Sequence, residues 1–262
     1  MTDRAYHCVA HVVTALFRAL DLRLDVAGQQ HIPATGGGVV VMNHTGFLDF
    51  ALAGTPFWRE HGRLVRFMAK QEVFTNRLTG PLMRAMHHIP VDRAAGAAAF
   101  RNAIEALRAG ELVGIFPEAT ISRSFCLKEF KSGATRMARL AGVPLIPMTL
   151  WGSQRVWTKG RKLTLRDGRH IPISITIGAP LQPGRGAAAD AELVEVMNRL
   201  LDATRARYPD PHGTDPWWVP AHLGGTAPTP ERAAEMDALE QLDRARRRQP
   251  PPGVTPVRPE AP

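Results

Sequence analysis

Cysteine is scarce in this sequence, and its scarcity excludes several classes of protein. The chain has 262 residues but only two cysteines, Cys8 and Cys126. Two irregularly placed cysteines are too few for a disulfide framework or a cysteine-ligated metal site. The histidines also lack zinc-like spacing with cysteine or acidic partners. We therefore expect no metal site and a reducing compartment, with the cytosol as the default.

Long apolar runs are missing as well. The longest nearly apolar run near the N-terminus extends from Cys8 to Phe17 and contains His11. This run is far shorter than the roughly 18 to 20 residues that a membrane-spanning helix needs. No small-residue cleavage site of the signal-peptide type follows it. The sequence therefore predicts neither export nor a transmembrane helix.

Two functional motifs are also absent. Without a Gly-x-Ser-x-Gly elbow, a serine acyl-enzyme of the hydrolase type lacks its usual support. The net charge of +9 indicates attraction to nucleic acid, anionic lipid headgroups or phosphorylated substrates. The basic residues are scattered, however, and form no recognised nucleic-acid motif with interleaved aromatic residues. We expect no nucleic-acid partner, and a basic lipid- or nucleic-acid-binding protein is the non-enzymatic alternative.

The patterning of the chain predicts an α/β fold. Apolar residues make up 44% of the sequence, enough for a sizeable core. Strands that alternate with helices favour a central, largely parallel or mixed sheet flanked by helices. We expect an amphipathic helical element at residues 1–20, the main domain at 21–222, and a mobile tail rich in proline, alanine and charge at 223–262.

Individual elements follow from hydrophobic periodicity and turn residues. Strands are predicted at 22–26, from Val39, at 64–68, 88–91, 112–116 and 144–150, around Leu163, and at 171–177. Helices are predicted at 5–20, 47–58, 74–86 with an interruption at Gly80-Pro81, 94–107, 132–140, 190–207 and 231–248. Two placements stay open: the first helix and the Trp217-Trp218 pair can each pack on the domain or contact lipid.

The stretch from Val39 to Asp49 is the centre of the functional prediction. A buried apolar strand is followed at once by Asn43, His44 and Asp49. His44 and Asp49 would lie about 140° apart on a continuous helix and on opposite faces of a strand. They meet only if the chain turns between them, and Gly46 favours such a turn. A carboxylate on one imidazole nitrogen would leave the other nitrogen free to act as a base. The alternative is a capping Asn43 beside a surface histidine.

Three further blocks carry candidate binding residues. Arg93 follows a short strand and suits a phosphate through two parallel hydrogen bonds, although it can equally form a surface ion pair. At the end of the strand from Leu112, Glu118 and Thr120 are candidates for binding hydroxyls and Arg123 for binding phosphate. Lys131, close to a glycine at a helix start, suits an anionic group.

The four blocks together resemble the 1-acylglycerol-3-phosphate acyltransferase family, which comprises lysophosphatidate and glycerolphosphate acyltransferases. The resemblance extends over about residues 20 to 180. In order, the blocks are Asn43-His44-x4-Asp49, Ile89-Pro-Val-Asp-Arg93, Phe116-Pro-Glu-x-Thr120 and Val143-Pro-Leu-Ile-Pro147.

The resemblance implies an enzyme that transfers a fatty acyl group to a hydroxyl of lysophosphatidate in phospholipid synthesis. The donor would be a thioester of coenzyme A or acyl carrier protein, a co-substrate, so that no cofactor is expected. His44 would be the base, Asp49 its partner, Arg93 a phosphate ligand and Glu118 an acceptor-binding residue, with Asn43 also assigned to substrate binding. A membrane-binding N-terminal helix would place the protein peripherally on anionic lipid at the cytoplasmic face of the cell membrane.

The third block departs from the family pattern. Family members often have glycine and arginine where this chain has Ala119 and Ile121. The usual phosphate-facing arginine is thus absent, and either Arg123 or Lys131 substitutes for it or the acceptor is held differently. Glycerol 3-phosphate and a glycolipid sugar hydroxyl are therefore alternative acceptors.

Overall fold

A computed structural model describes residues 3–92, 96–163, 169–209 and 216–248. The helices are α1 (Arg4–Ala19), α2 (Asp49–His61), α3 (Gln71–Thr75), α4 (Thr79–Ala85), α5 (Gly96–Arg108), α6 (Gly133–Ala141), α7 (Ser153–Val156), α8 (Gly186–Ala206) and α9 (Pro230–Arg248). The strands are β1 (Arg23–Ala27), β2 (Gly38–Met42), β3 (Val65–Lys70), β4 (Ile89–Val91), β5 (Leu112–Ile115), β6 (Leu145–Trp151) and β7 (Pro172–Ile177).

The strands form a seven-stranded sheet in the order β1-β7-β6-β2-β5-β3-β4. The five strands from β6 to β4 are parallel, β7 is antiparallel to β6, and β1 is parallel to β7. Val40 in β2 is in register with Gly114 in β5 and with Ile146 in β6. The carboxyl ends of these three central strands therefore lie at one edge of the sheet, where α/β folds usually bind ligands.

Strand β2 is apolar throughout because both of its faces are buried. Its alternate side chains enter two different cores, as period-two geometry requires. Val40 and Met42 pack with α1 and α2 on one face, whereas Val39 and Val41 pack with α5, α6 and α8 on the other. The predicted α/β fold, with a largely parallel sheet covered on both faces, is confirmed.

Two local predictions differ from the structure. The helix predicted at 74–86 is interrupted at Asn76 and not at Gly80-Pro81, because the Asn76 side chain accepts hydrogen bonds from the N–H groups of Leu78 and Thr79 and starts a new helix. Pro81 falls in the first turn of α4, where its missing N–H is tolerated. Leu163 lies in irregular chain, and residues 164–168 are outside the described part.

The N-terminal helix α1 both packs on the domain and exposes apolar side chains. Phe17 is buried against the sheet, and Asp3 forms an ion pair with the buried Arg66 of β3. On the outer side, Val12 is 63% exposed and Leu16 is 45% exposed. In the part of the chain that the structure describes, no helix combines the length and apolar character needed to cross a bilayer.

The chain beyond α8 folds back onto the domain. Trp218 is buried in a third apolar cluster with Phe125 and Trp151, which selects packing over lipid contact for this tryptophan. Within the predicted tail, residues 230–248 form α9, whose Asp237 is buried and ion-paired to the domain. This part of the predicted tail is therefore folded against the domain, whereas residues 249–262 are outside the described chain.

Candidate active site

His44 and Asp49 meet at the carboxyl end of β2. The chain turns after Asn43, so that His44 lies in the loop and Asp49 is the first residue of α2. The distance from His44 Nδ1 to Asp49 Oδ2 is 2.9 Å. Because an ionised carboxylate only accepts hydrogen bonds, the ring proton lies on Nδ1 and Nε2 carries the free lone pair. The His44 side chain is 20% exposed and that of Asp49 is fully buried.

Asp49 is held by more than the imidazole. Its Oδ2 also accepts hydrogen bonds from the N–H groups of Thr45 at 2.7 Å and Gly46 at 2.8 Å. Three donors on one oxygen offset part of the cost of burying a carboxylate, whereas Oδ1 is buried without a hydrogen-bond partner among the described residues. The same contacts close the loop around Asp49, so the position of the imidazole follows from the fold of the loop.

Gly46 lies where two backbone carbonyl groups approach the loop closely. A Cβ atom built at this position would lie 3.0 Å from the carbonyl oxygens of Ser153 and Trp157. A larger residue would force these carbonyls to shift, so the glycine provides space here, whereas the sequence indicated that it favours the turn. The N–H of the next residue, Phe47, donates to the Trp157 carbonyl oxygen at 3.0 Å, which fixes the loop against the segment after β6.

An aromatic ring restricts the imidazole from one side. Phe116, at the end of β5, stacks on the His44 ring with centroids 4.2 Å apart and planes inclined by 23°. The ring centroids of Phe116 and Phe67 are 6.4 Å apart, and those of Phe67 and the half-exposed Phe50 are 6.0 Å apart. The rings therefore form an apolar row from the protein surface to the imidazole.

Asn43 forms part of the scaffold below the loop. Its amide donates to the Leu150 carbonyl at 3.0 Å and accepts from the Leu150 N–H at 2.8 Å. The residue is 1% exposed. Both polar ends of the side chain are thus engaged in joining the end of β2 to β6, in contrast to the substrate-binding position expected from the sequence.

Glu118 connects the first and third sequence blocks. Its carboxyl group accepts hydrogen bonds from the backbone N–H of His44 at 2.8 Å and of Lys128 at 3.2 Å. Burial raises the pKa of Glu118 to about 8, even though the two backbone hydrogen bonds favour ionisation. This side chain, 5% exposed, therefore lies below the loop that carries the imidazole.

The other predicted binding residues are dispersed. Thr120 accepts a hydrogen bond from Lys128 Nζ at 2.8 Å, and Arg123 is ion-paired with Asp237 and Glu240 of α9. Lys131 is exposed just before α6, whereas Arg93 lies outside the described residues. Within the described ranges, no group of three or more His, Cys, Asp and Glu side chains is arranged to hold a metal ion.

Several residues around the site were missed by sequence reasoning. Phe116 was detectable, because it belongs to the Phe-Pro-Glu block that places Glu118 at the strand end. Lys128 and Lys159 were not, because their partner Asp237 is 109 and 78 residues away along the chain. No local pattern marks such a long-range ion pair.

Three comparisons with known proteins each find acyltransferases. A family model described as Acyltransferase matches residues 23–151. The chain is 31% identical over 199 residues to a 1-acyl-sn-glycerol-3-phosphate acyltransferase of Bacillus subtilis, covering 71% of this chain and 95% of the relative. It is 26% identical to the chloroplastic 1-acyl-sn-glycerol-3-phosphate acyltransferase BAT2 of Brassica napus, covering 77% of this chain and 58% of that protein.

A solved structure has a similar fold. The crystal structure of the 1-acyl-sn-glycerophosphate (LPA) acyltransferase PlsC of Thermotoga maritima superposes with a TM-score of 0.63 at 24% identity. The match covers 77% of this chain and 80% of the other.

Ala119 generates a prediction about stability. This residue adopts a left-handed backbone with a φ of 59°, which costs roughly 1–2 kcal/mol for a residue with a Cβ. Glycine relieves this strain but has a more flexible unfolded state. We expect Ala119→Gly to raise the free energy of unfolding by about 0.5 to 1 kcal/mol in urea denaturation. The control Ala203→Gly, on the exposed side of α8, should lower it by about 1 kcal/mol; destabilisation by both would contradict the assignment of strain.

Glu118 gives stability a pH dependence. Its pKa rises from 4.5 to about 8 on folding, so between these pH values the folded protein holds a proton that the unfolded chain has released. The resulting stabilisation is complete below pH 4.5 and is lost as the pH rises through the folded pKa. We expect the stability of the wild type relative to Glu118→Gln to fall by on the order of 3 kcal/mol between about pH 5 and about pH 9.

The measurement is urea denaturation at each pH, with Glu129→Gln as the control. Glu129 is exposed, so its variant should follow the wild type at every pH. Parallel pH curves for the wild type and Glu118→Gln would show that Glu118 does not titrate in this range.

Proposed function

Because this chain belongs to the 1-acyl-sn-glycerol-3-phosphate acyltransferase family, we propose that it transfers a fatty acyl group to the free hydroxyl of lysophosphatidate in phospholipid synthesis. The acyl donor is a thioester of coenzyme A or acyl carrier protein. The single observation that carries this proposal is the imidazole of His44, which is oriented by a buried carboxylate and is itself accessible from solvent.

In this reaction His44 acts as the general base. Nε2 removes the proton from the acceptor hydroxyl as its oxygen attacks the thioester carbonyl carbon, and the tetrahedral intermediate collapses by breaking the carbon–sulfur bond. The departing thiolate receives the proton from the imidazolium, which restores neutral His44. Asp49 stabilises the imidazolium, and such base assistance contributes about 10²- to 10⁴-fold to the rate.

The acyl chain finds apolar surroundings next to the base. The row of rings from Phe50 through Phe67 to Phe116 ends at His44. A thioester whose chain lies along this row would have its carbonyl near Nε2. The acceptor would approach from the open side of the imidazole, and Arg93, Arg123 and Lys131 are the candidate ligands for its phosphate.

Exposed apolar residues support a peripheral membrane location. Helix α1 packs beside α2 and α4, and all three elements or their adjoining loops expose large apolar side chains. These side chains are Val12, Leu16, Phe47, Phe50, Leu78 and Leu82. With a net charge of +9, this surface, which we call the α1-α2-α4 surface, suits the anionic lipid of the cytoplasmic face of the cell membrane.

One observation favours a second candidate acceptor. Ile121, at the position where related enzymes often have arginine, is only 6% exposed and belongs to the protein interior. The acceptor phosphate is therefore held by other groups, which leaves room for glycerol 3-phosphate or a glycolipid sugar hydroxyl as the acceptor. Assaying these acceptors beside lysophosphatidate, with palmitoyl-coenzyme A as donor and mass spectrometry of the products, distinguishes the candidates.

His44→Ala tests the enzymatic proposal. The substitution removes the proposed base, and among the described residues the side-chain contacts of His44 are the hydrogen bond to Asp49 and the stacking on Phe116. We expect turnover of lysophosphatidate to fall by about 10³-fold, because general-base catalysis contributes about 10²- to 10⁴-fold to the rate. Binding of palmitoyl-coenzyme A should be retained. Release of coenzyme A measures turnover.

His61→Ala is the matched control, because this histidine is exposed at the end of α2. It should retain wild-type turnover. Unchanged turnover in His44→Ala would exclude general-base catalysis by this residue and would favour a binding protein.

The α1-α2-α4 surface is tested by sedimentation with anionic vesicles. Val12→Ser with Leu16→Ser removes two exposed side chains of α1. We expect binding to vesicles of phosphatidylglycerol to weaken by about tenfold or more, since each buried large apolar group contributes roughly 1.5–3 kcal/mol.

The control for this experiment is Leu239→Ser with Leu242→Ser on α9. These leucines are 58% and 56% exposed, similar to Val12 and Leu16, but lie on a different helix. The control variant should bind like the wild type, and equal weakening in both variants would show that the α1-α2-α4 surface has no special role.

A further inference from the structure

Helix α9 is attached to the domain mainly by charge. Among its described side chains only Ala233 and Asp237 are buried, whereas Leu239 and Leu242 face solvent. A helix that buries so little apolar surface gains little from packing. Its ion pairs to the domain must therefore account for most of its attachment.

Three cations of the domain converge on the acidic side of α9. Asp237 accepts from Lys128 at 2.8 Å, from Lys159 at 2.6 Å and from Arg123 Nε at 3.0 Å. Glu240 lies 2.8 Å from both Arg123 and Lys159. Although burial opposes ionisation, hydrogen bonds from these cations lower the pKa of Asp237 to about 2. We call Arg123, Lys128 and Lys159 the cation triad.

The cation triad adjoins the candidate active site. Lys128 donates from Nζ to Thr120 and from its backbone N–H to Glu118, and Glu118 accepts from the backbone N–H of His44. An anion bound to the triad would therefore be linked to the loop that carries His44 through the hydrogen bonds of Lys128 and Glu118. Lys159 and α9 both lie outside the span 23–151 that the family model matches.

We propose that the cation triad is a binding site for a phosphate group of a substrate, and that Asp237 and Glu240 occupy this site until α9 moves away. This inference rests on the proposed function, because it assigns the phosphate to one of the two substrates of acyl transfer. Two carboxylates carry the same charge as a phosphomonoester dianion, and a phosphate offers three acceptor oxygens to the cations. Arg123 and the two lysines can therefore exchange one anion for the other.

The exchange sets the apparent affinity for phosphate. A site that is open only part of the time binds with an affinity reduced by the open fraction. Conversely, phosphate that binds the open site increases the population in which α9 is released. Bound substrate and docked α9 are then mutually exclusive.

The test uses the full chain with two α9 carboxylates neutralised, Asp237→Asn with Glu240→Gln. Inorganic phosphate is titrated into this variant and the wild type at constant ionic strength, by calorimetry. We expect the variant to bind phosphate about tenfold more tightly or better, because the competing carboxylates are removed. Adding Lys159→Gln to the variant should reverse this gain, and a gain that persists would overturn the assignment.

The matched control is Glu235→Gln with Asp243→Asn. These residues are exposed on the same helix, and the double change also removes two negative charges. The control should bind phosphate like the wild type. Equal affinity in all proteins would overturn the proposal. An equal gain in the control would also overturn it, since net charge alone would then explain the gain.

Titrations with glycerol 3-phosphate and with coenzyme A identify the source of the phosphate. Tighter binding of glycerol 3-phosphate alone assigns the triad to the acceptor, and tighter binding of coenzyme A alone assigns it to the donor. Unchanged affinity for both would overturn the assignment to a substrate. These measurements are made without turnover, so they can fail while His44→Ala still shows the enzymatic function, and the reverse also holds.

Hydrogen exchange of the wild type provides a test that needs no variant. Phosphate should accelerate amide exchange in residues 230–248 relative to chloride at equal ionic strength. Unchanged exchange at saturating phosphate would overturn the displacement of α9, even if the neutralised variant did not fold.

Discussion

The carboxylate of Asp49 is the interaction on which the candidate site depends. It is fully buried, and one of its oxygens accepts hydrogen bonds from two backbone N–H groups and from the imidazole of His44. A buried charge is tolerated only when such partners compensate for its lost hydration. The backbone of the loop therefore closes around the carboxylate. Orientation of the histidine is a consequence of folding this loop.

The parallel sheet supplies the second constraint. Because β2 and β5 are neighbours that run in the same direction, the segments that follow them emerge side by side. Glu118 accepts a hydrogen bond from the backbone of His44, 74 residues earlier in the chain. Phe116 stacks on the imidazole ring of His44. The imidazole of His44 is thus held by its own loop from one side and by the end of a neighbouring strand from the other.

The sequence predicted the short-range part of this arrangement and the fold class. The contact between His44 and Asp49 follows from a turn of only five residues, and the alternation of strands and helices requires a covered sheet. The hydrogen bonds between Asn43 and β6 could not be predicted from the sequence, because nothing near an asparagine in the sequence indicates which distant backbone groups it will contact. Likewise, Arg123 reads as a free phosphate ligand until α9, more than a hundred residues later, is seen to contact it.

The row of aromatic rings that ends at His44 has a consequence for the fate of the acyl group. A base that activates an alcohol can also activate water, so an acyltransferase must limit hydrolysis of its donor. Rings that cover one side of the imidazole leave water few polar positions beside the thioester. In the proposed reaction, the ratio of transfer to wasteful cleavage would therefore depend on how completely Phe116 and its neighbours exclude solvent.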